Sequence, residues 1–261
     1  MDQEESNNIL SENLRLFFFE LADSFQFAMK ALKYMFRKPF EGEELLRQCY
    51  LIGYKTLPLI SITAFIMGLV LTLQTWPMLE KLGAEAELPG LIFVSILREI
   101  GPVITALIFA GKVGSGIGAE LGSMRVSEQI DAMEVSGINP MKFLVSTRVL
   151  ATTLMVPLLV IYADAIGLLG SLAGINIQGA VSVRLFFIQS FQDITYIDII
   201  PATIKTFFFG YAIGLVGCYK GWYASGGTQG VGRASNASVV ISSVVIFILD
   251  LIAVQITEII V

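Results

Sequence analysis

A run of residues without a single charge, from Thr56 to Leu79, most constrains how this chain can fold. The run is 24 residues long, and a helix needs about 20 apolar residues to cross the hydrocarbon core of a bilayer. Further apolar blocks follow, and the chain as a whole is 55% hydrophobic and 15% charged. Soluble domains average about 45–50% apolar and about 25% charged residues. The sequence therefore predicts an all-α integral membrane protein.

Five membrane-spanning segments are predicted from the apolar blocks. They lie near residues 53–76, 89–112, 148–174, 200–220 and 235–259. We expect Trp76 and Pro77 to end the first segment, as an interfacial aromatic and a helix stop, and Pro89 to open the second. The 175–199 connection is too polar to span and is expected to form an external loop with short helices.

The distribution of basic residues predicts the orientation of the chain. Thirteen Lys and Arg residues flank the predicted spans on one side, and only Lys81 and Arg184 lie on the other. Because positive residues concentrate on the cytoplasmic side, we expect a cytoplasmic N-terminus and, after five spans, a periplasmic C-terminus.

An amphipathic helix is predicted before the first span, over residues 10–36. Its apolar stripe consists of Leu10, Leu14, Phe17, Leu21, Phe25, Ala28 and Leu32. The charges on its other faces favour a helix lying in the membrane interface, and a partner-binding helix is the alternative. We accordingly divide the chain into residues 1–52, a polar tail, interfacial helix and elbow, and residues 53–261, the membrane domain.

Ionisable residues at membrane depth indicate function. Arg98 and Glu99 are adjacent in the second span, Lys205 lies in the fourth, and Asp164 and Asp250 lie in the third and fifth. A charge at the bilayer centre costs at least about 2.5–3.5 kcal/mol, so such residues face a polar cavity or each other. We predict a Glu99–Lys205 pair, which is either a clamp that holds the bundle together or part of a path for a charged headgroup.

The stretch from Gly111 to Pro140 predicts an amphipathic, acidic helix between the second and third spans, on the cytoplasmic side. Anionic leaflets attract basic rather than acidic segments, so a protein partner is the better candidate for this helix. The stretch contains no phosphate-binding GxxxxGK[ST] motif, and ATP hydrolysis by this chain is not expected.

Glycines repeat at four-residue intervals in two predicted helices. The pairs are Gly210/Gly214 and Gly217/Gly221, and the triplet is Gly114/Gly118/Gly122. Such spacing places glycines on one face, where backbones can approach closely, and it predicts helix-packing faces or a dimer seam.

Several classes of chemistry are disfavoured by composition. The chain has no histidine, and Cys49 and Cys218 are far apart and form no CxxC motif. We therefore expect no catalytic residues, no metal site and no cofactor. A net charge of −5 without a basic cluster argues against nucleic acid as a partner.

Residues 97–140, LREIGPVITALIFAGKVGSGIGAELGSMRVSEQIDAMEVSGINP, resemble the MlaE-type permeases, also called YrbE or MCE-associated permeases. Gly68 and Gln74 in the first span and Asp250 in the last agree with that family, so the resemblance covers nearly the whole chain. It implies the permease subunit of an ABC transporter that moves phospholipid, or a similar hydrophobic lipid, between the bacterial inner membrane and the cell envelope. The implied partners are a cytoplasmic ABC ATPase, a periplasmic ring of MCE-domain protein, a STAS-domain protein in some systems, and a second copy of the chain.

The resemblance also implies roles for particular residues. The coupling helix of the family falls near 126–137 here, so Glu128, Asp131, Glu134 and Gly137 are expected to contact the ATPase. The lipid cavity of the family, open to the periplasm at the dimer interface, is expected to include the residues Arg98, Glu99, Lys205, Gln74 and Trp76. Ser136 replaces a methionine that many relatives carry, which is a small departure.

Two other functions compete with this interpretation. An ion-coupled secondary transporter or channel would use Glu99, Asp164 and Asp250 as ion sites, but no inverted repeat is evident. A membrane enzyme is disfavoured because no nucleophile–base pair is recognisable.

Overall fold

The computed structural model describes residues 19–20, 22–35, 41–178, 182–192 and 194–260. Across these residues the backbone forms helices and short turns, and no strand occurs among them. In chain order the helices are α1 (22–35), α2 (Gly42–Leu82), α3 (Glu85–Val126), α4 (Gln129–Val135), α5 (Met141–Gln178), α6 (Val183–Gln192), α7 (Tyr196–Trp222) and α8 (Gly227–Ile260). The predicted all-α fold is confirmed.

Five of these helices, α2, α3, α5, α7 and α8, are long and apolar enough to cross a membrane, as predicted. They are longer than the predicted segments, because α2 alone has 41 residues. At 1.5 Å per residue it is about 60 Å long, whereas the hydrocarbon core is about 30 Å thick. The ends of the long helices therefore extend beyond the bilayer. We call the two ends of the bundle the α4 end and the α6 end, after the short helices that lie there.

The first membrane helix continues through Pro77, so the prediction that Trp76 and Pro77 end it is wrong. A membrane helix tolerates an internal proline when the surrounding bundle accommodates the freed backbone group. The helix instead ends at Leu82, and the Gly83 that caps it has a left-handed φ of 65°. There the amides of Gly83 and Ala84 donate to the carbonyls of Glu80 and Leu79 at 3.1 and 3.0 Å. The prediction that Pro89 opens the second membrane helix is confirmed, since it lies in the first turn of the regular α-helix that starts at Leu88.

Helix α3 also continues further than predicted. Residues 111–126, which were expected to belong to the acidic surface helix, extend α3 instead. Glycines explain the extension. Gly118 packs against Ser238 of α8, and Gly221 of α7 packs against the backbone of Gly118 and Gly122. Only a helix without side chains at these positions can remain inside the bundle this far. The acidic helix is the separate α4, Gln129–Val135.

The repeated glycines of α7 form packing faces, as predicted. Gly210 and Gly214 lie against Thr152 of α5, and Gly217 and Gly221 lie against α3. The same device joins α2 to α5, where the backbone oxygen of Gly167 occupies the position that a Cβ at Gly68 would take. Close backbone contact replaces the hydrophobic driving force that lipid does not provide between helices.

The N-terminal helix α1 packs on the bundle through a face that the predicted stripe did not include. Phe27, Ala31 and Met35 are buried, and the Phe27 ring stands edge-on to Tyr219 of α7 with centroids 5.5 Å apart. Phe25 and Leu32 of the predicted stripe are exposed. The helix therefore has a protein-facing apolar side and a second, uncovered apolar side that suits the membrane interface. The predicted stripe residues Leu10, Leu14, Phe17 and Leu21 lie outside the described residues.

Candidate functional site

A buried lysine organises the charged residues at membrane depth. Lys205 of α7 is 5% exposed, and its Nζ donates to Glu99 Oε2 of α3 at 2.6 Å and to Asp250 Oδ1 of α8 at 2.8 Å. The predicted Glu99–Lys205 pair is confirmed. The arrangement is a three-helix network, because Asp250 also takes part. One ammonium thus faces two carboxylates, and the Glu99 side chain is 46% exposed while that of Asp250 is 18% exposed.

A second ion pair lies beside the first. Arg98 of α3 contacts Asp198 Oδ1 of α7 through Nε and Nη2. Asp198 is buried, and its Oδ2 accepts the Thr195 amide at 2.7 Å, which caps the start of α7. The Arg98 side chain stays 56% exposed, so this guanidinium can reach a further anion.

The local winding of α3 sets the positions of Arg98 and Glu99. Residues Ile96–Ile100 form a π turn, in which the Gly101 amide donates to the carbonyl of Ile96. Pro102 follows and has no N–H to donate to the carbonyl four residues before it, which favours the wider turn. Single π turns in α-helices occur frequently at functional sites.

The charged network borders a cavity that has a polar and an apolar part. The polar pocket has a volume of about 300 Å³ and is lined by Arg98, Glu99, Asp198, Lys205 and Glu258 among others. The apolar groove has a volume of about 630 Å³ and runs between α7 and α8. Residues that line both are Ile197, Pro201, Lys205, Ala253 and Thr257. The two spaces therefore share a wall, with Lys205 at the junction between charge and hydrocarbon.

Two of the predicted cavity residues lie elsewhere. Trp76 is buried in an apolar cluster with Leu88 and Phe186, and Gln74 is exposed on α2. Neither lines the polar pocket or the apolar groove among the described residues. Of the five residues predicted for the cavity, the structure brings together Arg98, Glu99 and Lys205.

The residues predicted to contact an ATPase lie on and around α4. Glu128 precedes the helix with a left-handed φ of 58°, and Gly137 follows it with a φ of 80°. Glu128, Asp131 and Glu134 are exposed, and Asp131 accepts from Arg125 Nη1 at 2.6 Å.

Helix α4 buries one side chain fully and leaves most of the others exposed. Ile130 is fully buried, whereas Val135 is 91% exposed. Such a short helix, held by one apolar side chain and one ion pair, presents an acidic surface with apolar side chains at its end.

The sequence does not indicate that Asp198 belongs to the charged network, and it indicates Asp250 as a charge at membrane depth without giving its partner. Asp198 was placed in the external loop, but α7 begins at Tyr196 and includes it. Asp250 was placed in a span without a partner. The depth of each residue in its helix indicates the contact between Lys205 and Asp250. Lys205 lies nine residues after the start of α7, and Asp250 lies ten residues before the end of α8, which is at the same end of the bundle. Both are therefore about 14 Å from that end.

The fold and the site together define a class of protein: a multi-pass membrane protein with a charged pocket beside an apolar groove and a separate acidic helix. Comparison with known families identifies it further. The family model described as Permease MlaE matches residues 45–256, which is most of the chain. The chain belongs to the MlaE permease family.

Individual relatives agree with this assignment. A probable ABC transporter permease protein of Rickettsia typhi is 37% identical over 85% of this chain and 86% of its own length. A probable ABC transporter permease protein of Synechocystis is 32% identical over 90% of each chain. The intermembrane phospholipid transport system permease protein MlaE of Haemophilus influenzae is 33% identical over 80% of each chain. The chain is therefore a permease subunit of an ABC transporter, and its role is transport rather than catalysis.

Proposed function

We propose that this permease moves phospholipid between the inner membrane of a bacterium and its cell envelope, driven by ATP hydrolysis on a separate subunit. The observation that carries the proposal is the shared wall between the polar pocket and the apolar groove, with Lys205 lining both. A molecule that fills both spaces must have a charged end and a hydrocarbon end. The name of the Haemophilus influenzae relative, which refers to intermembrane phospholipid transport, supports the same substrate class.

The charges of the pocket favour a headgroup that has both signs. Lys205 is already bonded to two carboxylates, so the half-exposed guanidinium of Arg98 is the cation best placed for a phosphate. Arg is well suited to that role because its planar fork matches phosphate oxygens. Glu258 adds an exposed carboxylate and Glu99 a half-exposed one that already accepts from Lys205, and an ammonium group fits beside them. A zwitterionic phospholipid is therefore the expected cargo.

The groove is suited to the acyl chains. Its lining includes Ile200, Phe208, Leu249, Ile252 and Ile256, and several of these side chains are exposed on the surface of the bundle. Exposed apolar side chains at membrane depth face lipid or another membrane protein. A lipid can therefore enter the groove from the side, and a second copy of the chain is the expected cover for the rest of this surface.

The energy source is expected at the opposite end of the molecule. Val126, where α3 ends next to α4, is 28 residues beyond Arg98, or about 42 Å along a helix. With the orientation predicted from the basic residues, the α4 end is cytoplasmic and receives the ATPase, and a STAS-domain protein where one is present. The α6 end is periplasmic and receives the ring of MCE-domain protein. Movement of α4 would reach the pocket through the continuous helix α3.

The test is reconstitution of the chain with its ATPase and ring partner in vesicles that contain a fluorescent zwitterionic phospholipid. We expect ATP-dependent transfer of the lipid, and we expect the double change Glu128→Lys, Glu134→Lys to abolish both ATPase association and transfer. The matched control is Glu85→Lys, Glu87→Lys at the α6 end, which should leave ATPase association intact. If an intact complex hydrolyses ATP without moving lipid, the proposal is wrong. If the Glu128/Glu134 variant still transports, driven by an ion gradient, the ion-coupled alternative is correct.

A further inference from the structure

A second cavity lies on the other side of α7 from the apolar groove. It has a volume of about 540 Å³ and is bounded by α3, α5, α6 and α7. Its walls include Phe93, Val160, Leu168 and Phe187, and it shares only Ala202 with the polar pocket. The proposed transport path does not use this cavity.

One buried carboxyl group faces this apolar space. Asp164 of α5 is 8% exposed and lines the cavity. Its Oδ1 is enclosed against Gly101 of α3 and has no hydrogen-bond partner among the described residues, so the carboxyl group meets the cavity through the rest of its surface. Leaving a carboxyl oxygen buried and unpaired is costly, and such groups in native proteins normally have a partner.

The other polar side chains of the cavity can only accept further hydrogen bonds. The Thr203 hydroxyl donates to the carbonyl of Ile199 at 2.8 Å, and the Thr206 hydroxyl donates to the carbonyl of Thr203 at 2.6 Å. Their protons are therefore engaged, and their oxygen lone pairs remain. The cavity matches a mostly apolar ligand that has a hydrogen-bond donor.

The rim of the cavity is open to the surface that faces lipid. Ile161, Leu169, Phe191 and Ile199 all line the cavity and are all exposed. The Phe191 ring stands edge-on to Phe93, with centroids 5.0 Å apart, so that α6 forms one border of the opening. A membrane-dissolved molecule can reach Asp164 from this side without passing through the polar pocket.

We propose that this cavity binds a neutral lipid whose polar group is a hydroxyl, such as a diacylglycerol or a long-chain alcohol. A hydroxyl can donate to a carboxyl oxygen of Asp164 whether the group is ionised or protonated, because a protonated carboxyl keeps acceptor capacity, and an ether cannot make this hydrogen bond. An ammonium group is the poorer match, because its desolvation cost is high and, among the residues that the structure describes, Asp164 is the one carboxyl that lines the cavity to offset it. The inference is independent of the proposed transport function.

The experiment uses the full chain in lipid nanodiscs and a diacylglycerol that has a photoreactive acyl chain. Its O-methyl ether, with the same chains and no donor, is the matched probe. We expect saturable labelling of peptides from α5 and α6 by the diacylglycerol, and an apparent affinity at least about 10-fold weaker for the ether, as loss of a hydrogen bond to a charged or buried partner predicts. Equal affinity of the two probes would overturn the proposal, and so would labelling spread evenly over the lipid-facing surface.

Two variants separate binding from folding. Asp164→Leu should weaken diacylglycerol binding at least about 10-fold while leaving the melting temperature unchanged or higher, because it removes an unpaired buried polar group. Ala165→Phe, at the exposed rim, should block entry of the diacylglycerol while leaving the Asp164 carboxyl in place. The control Leu158→Phe, which is exposed on the same helix but outside the cavity lining, should leave diacylglycerol binding unchanged. A well-folded Asp164→Leu or Ala165→Phe protein that keeps wild-type affinity would also overturn the proposal.

Discussion

Replacing Lys205 with methionine should destabilise the protein strongly, because two carboxylates would lose their common partner. Lys205 is 5% exposed and bonds Glu99 and Asp250 at 2.6 and 2.8 Å. Removing one member of a buried ion pair costs about 3–5 kcal/mol. The lower end applies here, since Glu99 is half-exposed and water screens part of its charge. About 3 kcal/mol corresponds to a roughly 150-fold change in the folding equilibrium and to a fall of about 6–12 °C in melting temperature.

The assay is the melting temperature of the detergent-purified chain, followed by the loss of its monodisperse peak in size-exclusion chromatography. Lys81→Met, the same chemical change at an exposed position, is the matched control and should shift the melting temperature little. The triple change Glu99→Gln, Lys205→Met, Asp250→Asn removes all three charges and should recover at least half of the loss, because neutral replacement of a buried ionic group is often tolerated. Two results would contradict this prediction. One is a Lys205→Met protein whose melting temperature equals that of Lys81→Met, and the other is a triple variant that is no more stable than Lys205→Met.

Three further predictions address packing, the headgroup and the docking helix. Gly68→Val should lower the free energy of unfolding by about 1–3 kcal/mol, because the added atoms meet the backbone of α5. The control Gly116→Ala, at a position with open space, should leave it unchanged, and thermal melting compares the two variants. Arg98→Lys, which keeps a cation beside buried Asp198 but loses the planar fork, should reduce phospholipid transfer about 10-fold, and transfer of a lipid without phosphate should change much less. Val135→Arg should leave the melting temperature unchanged and reduce the amount of ATPase that co-purifies with the permease, because Val135 is exposed. Ile130→Ser should lower both the melting temperature and the amount of ATPase, because Ile130 is buried.

Much of the fold could be predicted from the sequence because the membrane restricts the choices. Uncharged blocks can only be spanning helices, and the Glu99–Lys205 pair followed from two charges at matching depth. The ends of the helices could not be predicted in the same way. Pro77 looks like a helix break in isolation, yet the chain stays helical through it.

The candidate site was predicted less completely, for related reasons. Asp198 resembled one more polar residue of a loop until the start of α7 was known, and its partner Arg98 depends on the π turn. The buried face of α1 could not be inferred, because both Phe25 and Phe27 are apolar and only packing on α7 distinguishes them. No periodicity in the sequence indicates that Trp76 belongs to the cluster around Phe186 instead of the pocket.

The two π turns of α3, at Ile96–Ile100 and Ala110–Gly114, fix the rotational phase between the ends of the molecule. Each π turn accommodates one residue more than a regular turn, and one residue of an α-helix corresponds to about 100° of rotation. Deleting the extra residue of one π turn would therefore restore a regular turn and keep the two ends of α3 in phase, whereas deleting one residue from a regular stretch between them would turn Arg98 by about 100° relative to α4. In the regular stretches of this helix a single-residue insertion or deletion is a change of angle, and the two π turns are the places where the helix can lose one residue without that change.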